Sequence, residues 1–198
     1  NYDYDVHPYP GEISLEYLFE HSSNIGSINV AKTMTPKEFY DMLKKFGYGS
    51  KTGIDLPGES SGLLPYWSNW DQGIHATMAY GYGTSVTAMQ MISAVQALAN
   101  GGVRVTPHVI KYSPEEEAVK VHRTQVVSQM TADIITRLLA RSVNNGRSVI
   151  KMDNYNVAAK TGTSRKPKEN SSGYTPYMYT SPIGYLPASD PQVLIYVM

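Results

Sequence analysis

The order of helix and strand signals along this 198-residue chain limits its fold more than any other feature. Segments with helical spacing of apolar residues begin near residues 14, 35, 87 and 131, whereas the strand-like segments all lie after residue 102. A chain of alternating βαβ units would interleave the two kinds of signal from its start. The pattern therefore predicts an α+β fold, and no internal repeat or composition change marks a domain boundary.

Each predicted helix begins at a hydroxyl side chain that can accept hydrogen bonds from the first turn. The clearest case is the segment 35–38, Thr-Pro-Lys-Glu, which is a capping box with proline at the first helical position. Ser14, Thr87 and Thr131 are the other predicted caps, because apolar residues follow each of them as a helix requires. We therefore expect helices to begin at these four positions.

Residues of high strand propensity form four candidate strands, which are 103–105, 108–112, 155–163 and 192–198. Pro107 separates the first two, since proline cannot donate a hydrogen bond to a ladder. The segment 164–180, which holds three tyrosines, is polar and shows no alternation, so we predict a loop there.

Composition excludes several classes of function. The chain has 17 Lys+Arg and 17 Asp+Glu, and this neutral balance argues against a nucleic-acid partner. It contains no cysteine, which excludes disulfides, thiolate metal sites and a cysteine nucleophile. The five histidines lack the spacing of a zinc site, so we predict no metal and no cofactor. No run of 18 apolar residues indicates a membrane span.

Three short patterns resemble functional motifs but are better explained by structure. Residues 58–62 match G-x-S-x-G, yet prolines on both sides favour a turn over a nucleophile elbow. The G-Y-G at 81–83 lacks the third glycine of a dinucleotide loop and is interpreted as a tight turn. The aromatic segment 66–70 is interpreted as an anchor onto the core, with stacking on a sugar or base as the alternative.

Two further motifs gain meaning as a pair. Ser22-Ser23-Asn24 follows the first predicted helix, and Lys160-Thr161-Gly162-Thr163 lies on a predicted strand. A second K-T-G occurs at 51–53, but it lies in a glycine-rich segment and is interpreted as a turn. We therefore take the strand copy as the functional one.

The strand copy has a chemical rationale. On an edge strand, the free backbone groups can pair with an extended peptide, and Gly162 would leave room for the ligand backbone. Thr161 and Thr163 share one face and can donate hydroxyls to a carboxylate. Lys160 starts on the other face and must reach round to Ser22, whose hydroxyl it would activate.

These two motifs resemble the second and third motifs of the penicillin-binding transpeptidases and serine β-lactamases. Other stretches resemble the class B peptidoglycan transpeptidases of division or elongation in order and spacing. They are 13–16, 21–24, 46–49, 52–59, 79–83, 96–102 and 159–163. The resemblance implies an antiparallel sheet packed with a helical subdomain.

The resemblance also implies D,D-transpeptidation of stem peptides ending in D-Ala-D-Ala through an acyl-serine, and binding of penicillin. Ser22 would relay protons, Asn24 would bond the substrate amide and orient the lysine partner of the acyl-serine, and Lys160 would pair with Ser22 and the substrate carboxylate. Thr161 and Thr163 would hold the terminal carboxylate. The backbone N–H of Thr163 would supply half of the oxyanion hole.

The implied partners are peptidoglycan stem peptides, the lipid-linked precursor polymer, and β-lactams as inhibitors. The parent protein is expected to act with a glycosyltransferase and with divisome or elongasome membrane proteins. It would be anchored in the bacterial cytoplasmic membrane, with this domain on the outer side. No nucleic acid and no cofactor is implied.

The first motif of the family, S-x-x-K, carries the nucleophile and precedes S-x-N by some tens of residues. Only 21 residues precede Ser22, and Ser14 has Tyr17 at the third following position. We therefore expect the chain to lack the S-x-x-K segment. We also expect it to lack the closing strand and C-terminal helix, so that residues 1–198 form a partial transpeptidase domain that is inactive alone.

Two other functions stay open at this point. The parent protein could be a β-lactam sensor, which binds and signals, or a β-lactamase-like hydrolase. The glycine-rich segment 52–59 and the long capped helices favour the transpeptidase.

Overall fold

The computed structural model describes residues 11–145, 148–169 and 171–198, which form seven helices, one 3₁₀ turn and seven strands. The helices are α1 (Leu15–His21), α2 (Asn24–Ala31), α3 (Pro36–Lys45), α4 (Gln72–Met78), α5 (Ala88–Ala99), α6 (Pro114–Lys120) and α7 (Gln129–Asn145). The strands are β1 (Val103–Val105), β2 (Arg123–Gln125), β3 (Ala158–Lys160), β4 (Thr163–Pro167), β5 (Tyr174–Thr180), β6 (Ile183–Leu186) and β7 (Val193–Tyr196). Within these residues no helix is both long and apolar enough to cross a bilayer.

All of the strand pairs in the described residues are antiparallel, which confirms the α+β prediction. β3, β6 and β7 form a three-stranded sheet in that order, while β4 pairs with β5 and β1 pairs with β2. β3 therefore lies at one edge of its sheet, as its sequence predicts. β4 continues from β3 after a break at residues 161–162.

Helix starts follow the capping residues at three of the four predicted positions. The side chains of Ser14, Thr35 and Thr87 each accept a hydrogen bond from the first turn of α1, α3 and α5. The prediction for Thr131 is wrong, because Ser128 accepts hydrogen bonds from the N–H groups of both Thr131 and Ala132. The helix α7 thus begins two residues earlier than its apolar pattern suggests.

The strand predictions are correct at β1 and β7, the predicted strand 155–163 is strand only at residues 158–160 and 163, and two other predictions are wrong. Segment 108–112 is not a strand, because the N–H groups of Val109 and Ile110 both donate to the Asp55 carboxylate, each at 2.9 Å. Segment 164–180 is not a loop but the hairpin of β4 and β5. Most of its side chains are exposed on both faces, so its sequence shows no alternation.

Helix α7 packs against β3 and β6 and forms the core that fixes the position of β3. Leu139 of α7 contacts Ala158 and Tyr185, and the last two are fully buried. The Tyr185 hydroxyl lies 2.7 Å from the Thr136 hydroxyl. Burial raises the pKa of Tyr185, although the hydrogen bond with Thr136 lowers it in part. The Tyr185 phenol is therefore neutral, and it forms the part of this core that the sheet contributes.

The three misleading motifs are structural, as predicted. Residues 58–62 have neither a strand before them nor a helix after them, and residues 79–83 form turns ahead of α5. Trp70 is buried, its indole N–H donates to the Pro65 carbonyl at 3.0 Å, and its ring meets Phe39 edge-on at 6.0 Å. The aromatic segment therefore anchors a loop onto α3.

Candidate active site

Lys160 and Ser22 meet at the edge of the three-stranded sheet, although 138 residues separate them in sequence. The ammonium nitrogen Nζ of Lys160 donates to the Ser22 Oγ and lies 3.4 Å from the Thr161 carbonyl. Burial lowers the pKa of Lys160, which favours its neutral form. The arrangement can therefore pass a proton between the serine hydroxyl and the amine.

The S-x-N segment is the junction between α1 and α2. Ser22 ends α1 in the left-handed conformation, with φ 52° and ψ 47°, and its N–H donates to the Leu18 carbonyl. The next residue, Ser23, is 1 % exposed, and its hydroxyl caps α2 by accepting from the Gly26 N–H at 2.8 Å. Ser22 stays exposed, whereas Asn24 opens α2 and is half-buried. The buried cap thus fixes a turn that presents both site residues.

The strand that carries Lys160 is held from behind by close packing. Ala158 and Ala159 are buried, and Lys160 pairs with Ile183 on β6. Opposite Ala159 lies Gly184, where an added Cβ would come within 2.5 Å of the alanine Cβ. Only a residue without a side chain therefore fits beside this part of β3.

Gly162, in the break after β3, packs closely against Ser181. A Cβ added at Gly162 would lie 2.7 Å from the Ser181 Oγ, and the Ser181 N–H donates to the Gly162 carbonyl at 2.9 Å. The space left by the absent side chain is filled by Ser181 of the same chain. Internal packing against Ser181 is therefore a further reason for glycine at this position, beside the predicted approach of a ligand backbone.

Thr163 has its backbone turned away from β5. It pairs with Thr180, and the neighbouring bond from Ser181 to Gly162 makes this a non-hydrogen-bonded pair of the antiparallel ladder. The N–H and C=O of Thr163 therefore point to the outer edge of β4. The side chains of Thr161 and Thr163 are exposed on this side of the break.

The expectation that S-x-x-K is missing needs one correction. The string occurs once, at Ser148-Val149-Ile150-Lys151, far downstream of Ser22. These residues form a turn, in which the Ser148 hydroxyl accepts from the Ile150 N–H at 3.3 Å and its carbonyl accepts from the Lys151 N–H. The motif places serine and lysine on successive turns of one helix, so this string does not supply it.

The second K-T-G lies outside any strand, in an irregular segment that leads into the turn at residues 55–58, and it holds a carboxylate of the same chain. The N–H and the hydroxyl of Thr52 donate to the Glu59 Oε1 at 2.6 and 2.5 Å, and the Gly53 N–H donates to Oε2 at 3.1 Å. Desolvation by itself raises the pKa of Glu59, but these hydrogen bonds outweigh it and lower the pKa. Lys51 is exposed at the surface.

Tyr82 is a neighbour of the site that the sequence did not reveal. Its hydroxyl accepts a hydrogen bond from the Arg165 N–H at 3.1 Å, so the G-Y-G turn touches β4. The tyrosine between two glycines was the available signal, but a turn explains the glycines without giving the tyrosine a role. Only the fold brings residues 82 and 165 together.

Comparison with known proteins gives a consistent result. The family described as penicillin binding protein transpeptidase domain matches residues 1–198. Penicillin-binding protein PbpB of Mycolicibacterium smegmatis is 33% identical over 195 residues, which is 91% of this chain and 30% of that protein. The probable peptidoglycan D,D-transpeptidase PenA of Neisseria flavescens is 31% identical, over 98% of this chain and 47% of that protein.

Solved structures are similar along most of the chain. Penicillin binding protein 3 of Mycobacterium tuberculosis, in its apo form, has a TM-score of 0.83 and 32% identity over 92% of this chain and 44% of that one. The same protein complexed with ampicillin has a TM-score of 0.80. The chain thus spans less than half the length of these relatives.

Proposed function

Because this chain belongs to the family of class B penicillin-binding protein transpeptidase domains, we propose that it carries most of the site for D,D-transpeptidation of peptidoglycan stem peptides. The enzyme would be a serine-type transpeptidase acting on peptides that end in D-Ala-D-Ala. The proposal is supported by the name of the similar PenA protein, a probable peptidoglycan D,D-transpeptidase. The ampicillin complex of a structural relative supports β-lactam binding.

The contact of Lys160 with Ser22 is the single observation that carries this proposal. A lysine whose pKa burial lowers can accept the proton of a serine hydroxyl or return it to a leaving amine. Surface packing does not account for a lysine held at the end of a sheet edge against a strained serine. Ser22 would relay the proton, and Asn24, one residue beyond the buried cap, would orient the substrate amide.

The edge of β4 would bind the carboxyl end of the stem peptide. Thr161 and Thr163 are exposed residues that follow Lys160 closely in the chain, and their hydroxyls with the lysine would suit a carboxylate ligand. The outward N–H of Thr163 would donate to the oxygen that becomes negative during acyl transfer. The turn at Lys51 supports this assignment, because there the same residue types already hold a carboxylate.

The covalent step would use a serine that lies outside this chain. In that step the serine oxygen bonds to the carbonyl carbon of the penultimate D-Ala, and the terminal D-Ala leaves as the free amine. An amine of a second stem peptide then takes the acyl group and releases the serine. We propose that an S-x-x-K segment ahead of Ser22 supplies this nucleophile, and that residues 1–198 alone are inactive.

Location and partners follow from the same proposal. A stem-peptide substrate places the domain on the outer side of the bacterial cytoplasmic membrane, to which the parent protein would be anchored. A glycosyltransferase and membrane proteins of the divisome or elongasome would deliver the nascent polymer. We propose these partners from the reaction, since cross-linking consumes the product of glycan polymerisation.

Labelling with a fluorescent penicillin tests the proposal. The 198-residue chain should give no covalent band at 21.9 kDa on a denaturing gel, because it lacks the nucleophile. A longer chain that also carries an S-x-x-K segment ahead of Ser22 should be labelled, and unlabelled D-Ala-D-Ala peptide should compete.

Two results would contradict this account. A labelled band from residues 1–198 would mean that another serine is acylated. A correctly folded longer chain that neither takes the label nor binds D-Ala-D-Ala peptides would rule out the transpeptidase function.

A further inference from the structure

Tyr82 lies in a glycine-flanked turn between α4 and α5 that faces the site. Gly81 and Gly83 on either side have φ angles of +95° and +84°, a backbone region that favours glycine. The Tyr82 N–H donates to the Thr77 carbonyl at 3.0 Å, which ties the turn to the end of α4. The turn therefore projects the tyrosine ring away from the helix and towards the β4–β5 hairpin.

The ring and the hydroxyl both contact that hairpin. The hydroxyl oxygen accepts from the Arg165 N–H at 3.1 Å, and the ring meets the Tyr174 ring edge-on at 5.7 Å. Arg165 lies two residues beyond Thr163, so its N–H points to the same outer edge of β4. The bond to Tyr82 is itself consistent with that orientation, since an N–H facing β5 could not reach residue 82.

A peptide added to this edge would form hydrogen bonds at every second residue of β4. If its penultimate residue pairs with Thr163, its carboxyl end lies towards Lys160 and its chain runs towards Arg165. The fourth residue from the carboxyl end would then reach Arg165, which is two positions beyond Thr163. The N–H needed there is already bonded to Tyr82.

We propose that Tyr82 is a specificity-determining residue that closes the peptide-binding edge at Arg165. This inference rests on the proposed function, because it takes the stem peptide as the strand that pairs with Thr163. The paired segment is limited to the last three residues of the stem peptide, and residues further from the carboxyl end leave the edge. The site thereby recognises the last three residues of the stem peptide and places no requirement on the backbone conformation of the residues before them.

Peptides of two, three and four residues ending in D-Ala-D-Ala test the limit on the 198-residue chain. Amide NMR spectra would follow Thr163 and Arg165 during each titration. In the wild type, all three peptides should shift the Thr163 amide, the Arg165 amide should stay in place, and the fourth residue should add no affinity. In Tyr82→Ala, the fourth residue should shift the Arg165 amide and tighten binding about fivefold, as one added hydrogen bond would.

Two further variants provide controls. Tyr174→Ala removes the ring that packs on Tyr82 but leaves the hydroxyl bond, so it should bind all three peptides as the wild type does. Tyr82→Phe keeps the ring and removes the acceptor, so the Arg165 amide proton should exchange faster and its resonance should move upfield. Tyr82→Phe keeps the proposal testable if Tyr82→Ala does not fold.

The outcomes separate this inference from the proposed function. If the dipeptide binds but Tyr82→Ala shows the length dependence of the wild type, the closed edge is wrong and the proposed function stands. An Arg165 amide that is unchanged in Tyr82→Phe also overturns the closed edge. If no peptide shifts the Thr163 amide in any variant, the proposed function fails and this inference fails with it.

Discussion

The tripeptide Lys-Thr-Gly occurs twice in this chain and has a different local structure at each place. At residues 51–53 they lead into a turn, and their threonine and glycine donate three hydrogen bonds to the Glu59 carboxylate. At residues 160–162 they form the end of an edge strand and the break after it, where Lys160 contacts Ser22 and the threonine is exposed. The hydrogen-bond donors of the first copy are thus satisfied by Glu59 of the same chain, whereas the threonine of the second copy is exposed to solvent.

The difference shows that the neighbours of a motif decide its chemistry. Threonine hydroxyls and backbone N–H groups bind a carboxylate wherever they converge, and in the turn copy Glu59 satisfies them seven residues away. The strand copy offers the same donor types to a ligand instead. The turn copy is therefore an internal control for every experiment on the strand copy.

The largest expected difference between the copies is in β-lactam acylation. In a longer chain that carries S-x-x-K, Lys160→Ala should slow labelling by fluorescent penicillin about 100-fold, because the proton partner of Ser22 is lost. Lys51→Ala should label at the wild-type rate, since Lys51 is exposed and the Ser22 hydroxyl is contacted by Lys160 instead. The rates are measured by gel fluorescence over time.

Thermal unfolding of both variants provides the control for folding. If Lys51→Ala slows labelling as much as Lys160→Ala, the functional copy has been assigned to the wrong K-T-G. Equal labelling of Lys160→Ala and the wild type would remove the lysine from the mechanism altogether.

The next effect is on stability and belongs to the turn copy. Glu59→Gln should lower the free energy of unfolding by about 1–2 kcal/mol at pH 7, because a charged acceptor of three hydrogen bonds becomes neutral. Although desolvation alone raises the pKa of Glu59, its hydrogen bonds lower it below the ordinary glutamate value of 4.5. Its contribution is thus present above pH 4.5 and is lost as the pH falls through the native pKa.

Urea unfolding at pH 7 and at about pH 3 measures this change as the difference between wild type and variant. The exposed carboxylate of Glu20 offers a matched control, and Glu20→Gln should change little at either pH. A difference that stays constant with pH would show that the Glu59 carboxylate does not stabilise the turn. Labelling of the strand copy should be unaffected.

Alanine substitution should be harmful at both motif glycines, Gly53 and Gly162, but for different reasons. Gly53 has φ +84°, and an added Cβ meets only ordinary contact with Thr106 at 3.4 Å, so Gly53→Ala should cost about 1–2 kcal/mol through backbone strain alone. At Gly162 the conflict is with the Ser181 Oγ at 2.7 Å. Gly162→Ala should therefore reduce acylation more than stability, by displacing the peptide unit that carries the Thr163 N–H.

Ser181→Ala provides the matching rescue. The double variant Gly162→Ala/Ser181→Ala should regain most of the labelling rate, because the clashing oxygen is gone. If the double variant labels as slowly as Gly162→Ala, the ligand backbone and not the Ser181 contact requires glycine at this position. No rescue is expected when Ser181→Ala is combined with Gly53→Ala.

The sequence predicted those features that local chemistry determines. Capping at Ser14, Thr35 and Thr87 was readable because the hydroxyl, the helix and its apolar face are all neighbours in sequence. The helices α2, α4 and α6 were missed because seven or eight residues display no apolar period, although the capping box from Ser113 to Glu116 marks the start of α6 as clearly as the one at Thr35. The β4–β5 hairpin was missed because exposed strands lack the alternation that burial imposes.

The candidate site was predictable only in part. Ser22 and Lys160 could be paired from motif resemblance, and the structure brings their side chains into contact. Ser181 and Tyr82 could not be found in this way, because each touches the site through backbone groups of residues distant in sequence. Their side chains carry no signature of that contact.

The smallest expected effect concerns the titration of the two lysines. Burial lowers the pKa of Lys160 below the ordinary lysine value of 10.5, so between the native pKa and 10.5 the unfolded chain binds more protons than the folded one. Stability contributed by this residue therefore rises with pH through that window and is constant below it. Exposed Lys51 has no burial of this kind.

Unfolding free energies of the wild type, Lys160→Met and Lys51→Met, measured from pH 8 to pH 10.5, test this sign. Lys160→Met loses the Ser22 contact at every pH, so only the slope of its difference from the wild type reports the lysine charge. The wild type should gain on Lys160→Met as the pH rises, and Lys51→Met serves as the control for removal of an exposed ammonium group. A gain in the opposite direction would mean that contact with Ser22 stabilises the ammonium form, and Lys160 would then act as a fixed cation that binds the substrate carboxylate rather than as a proton acceptor.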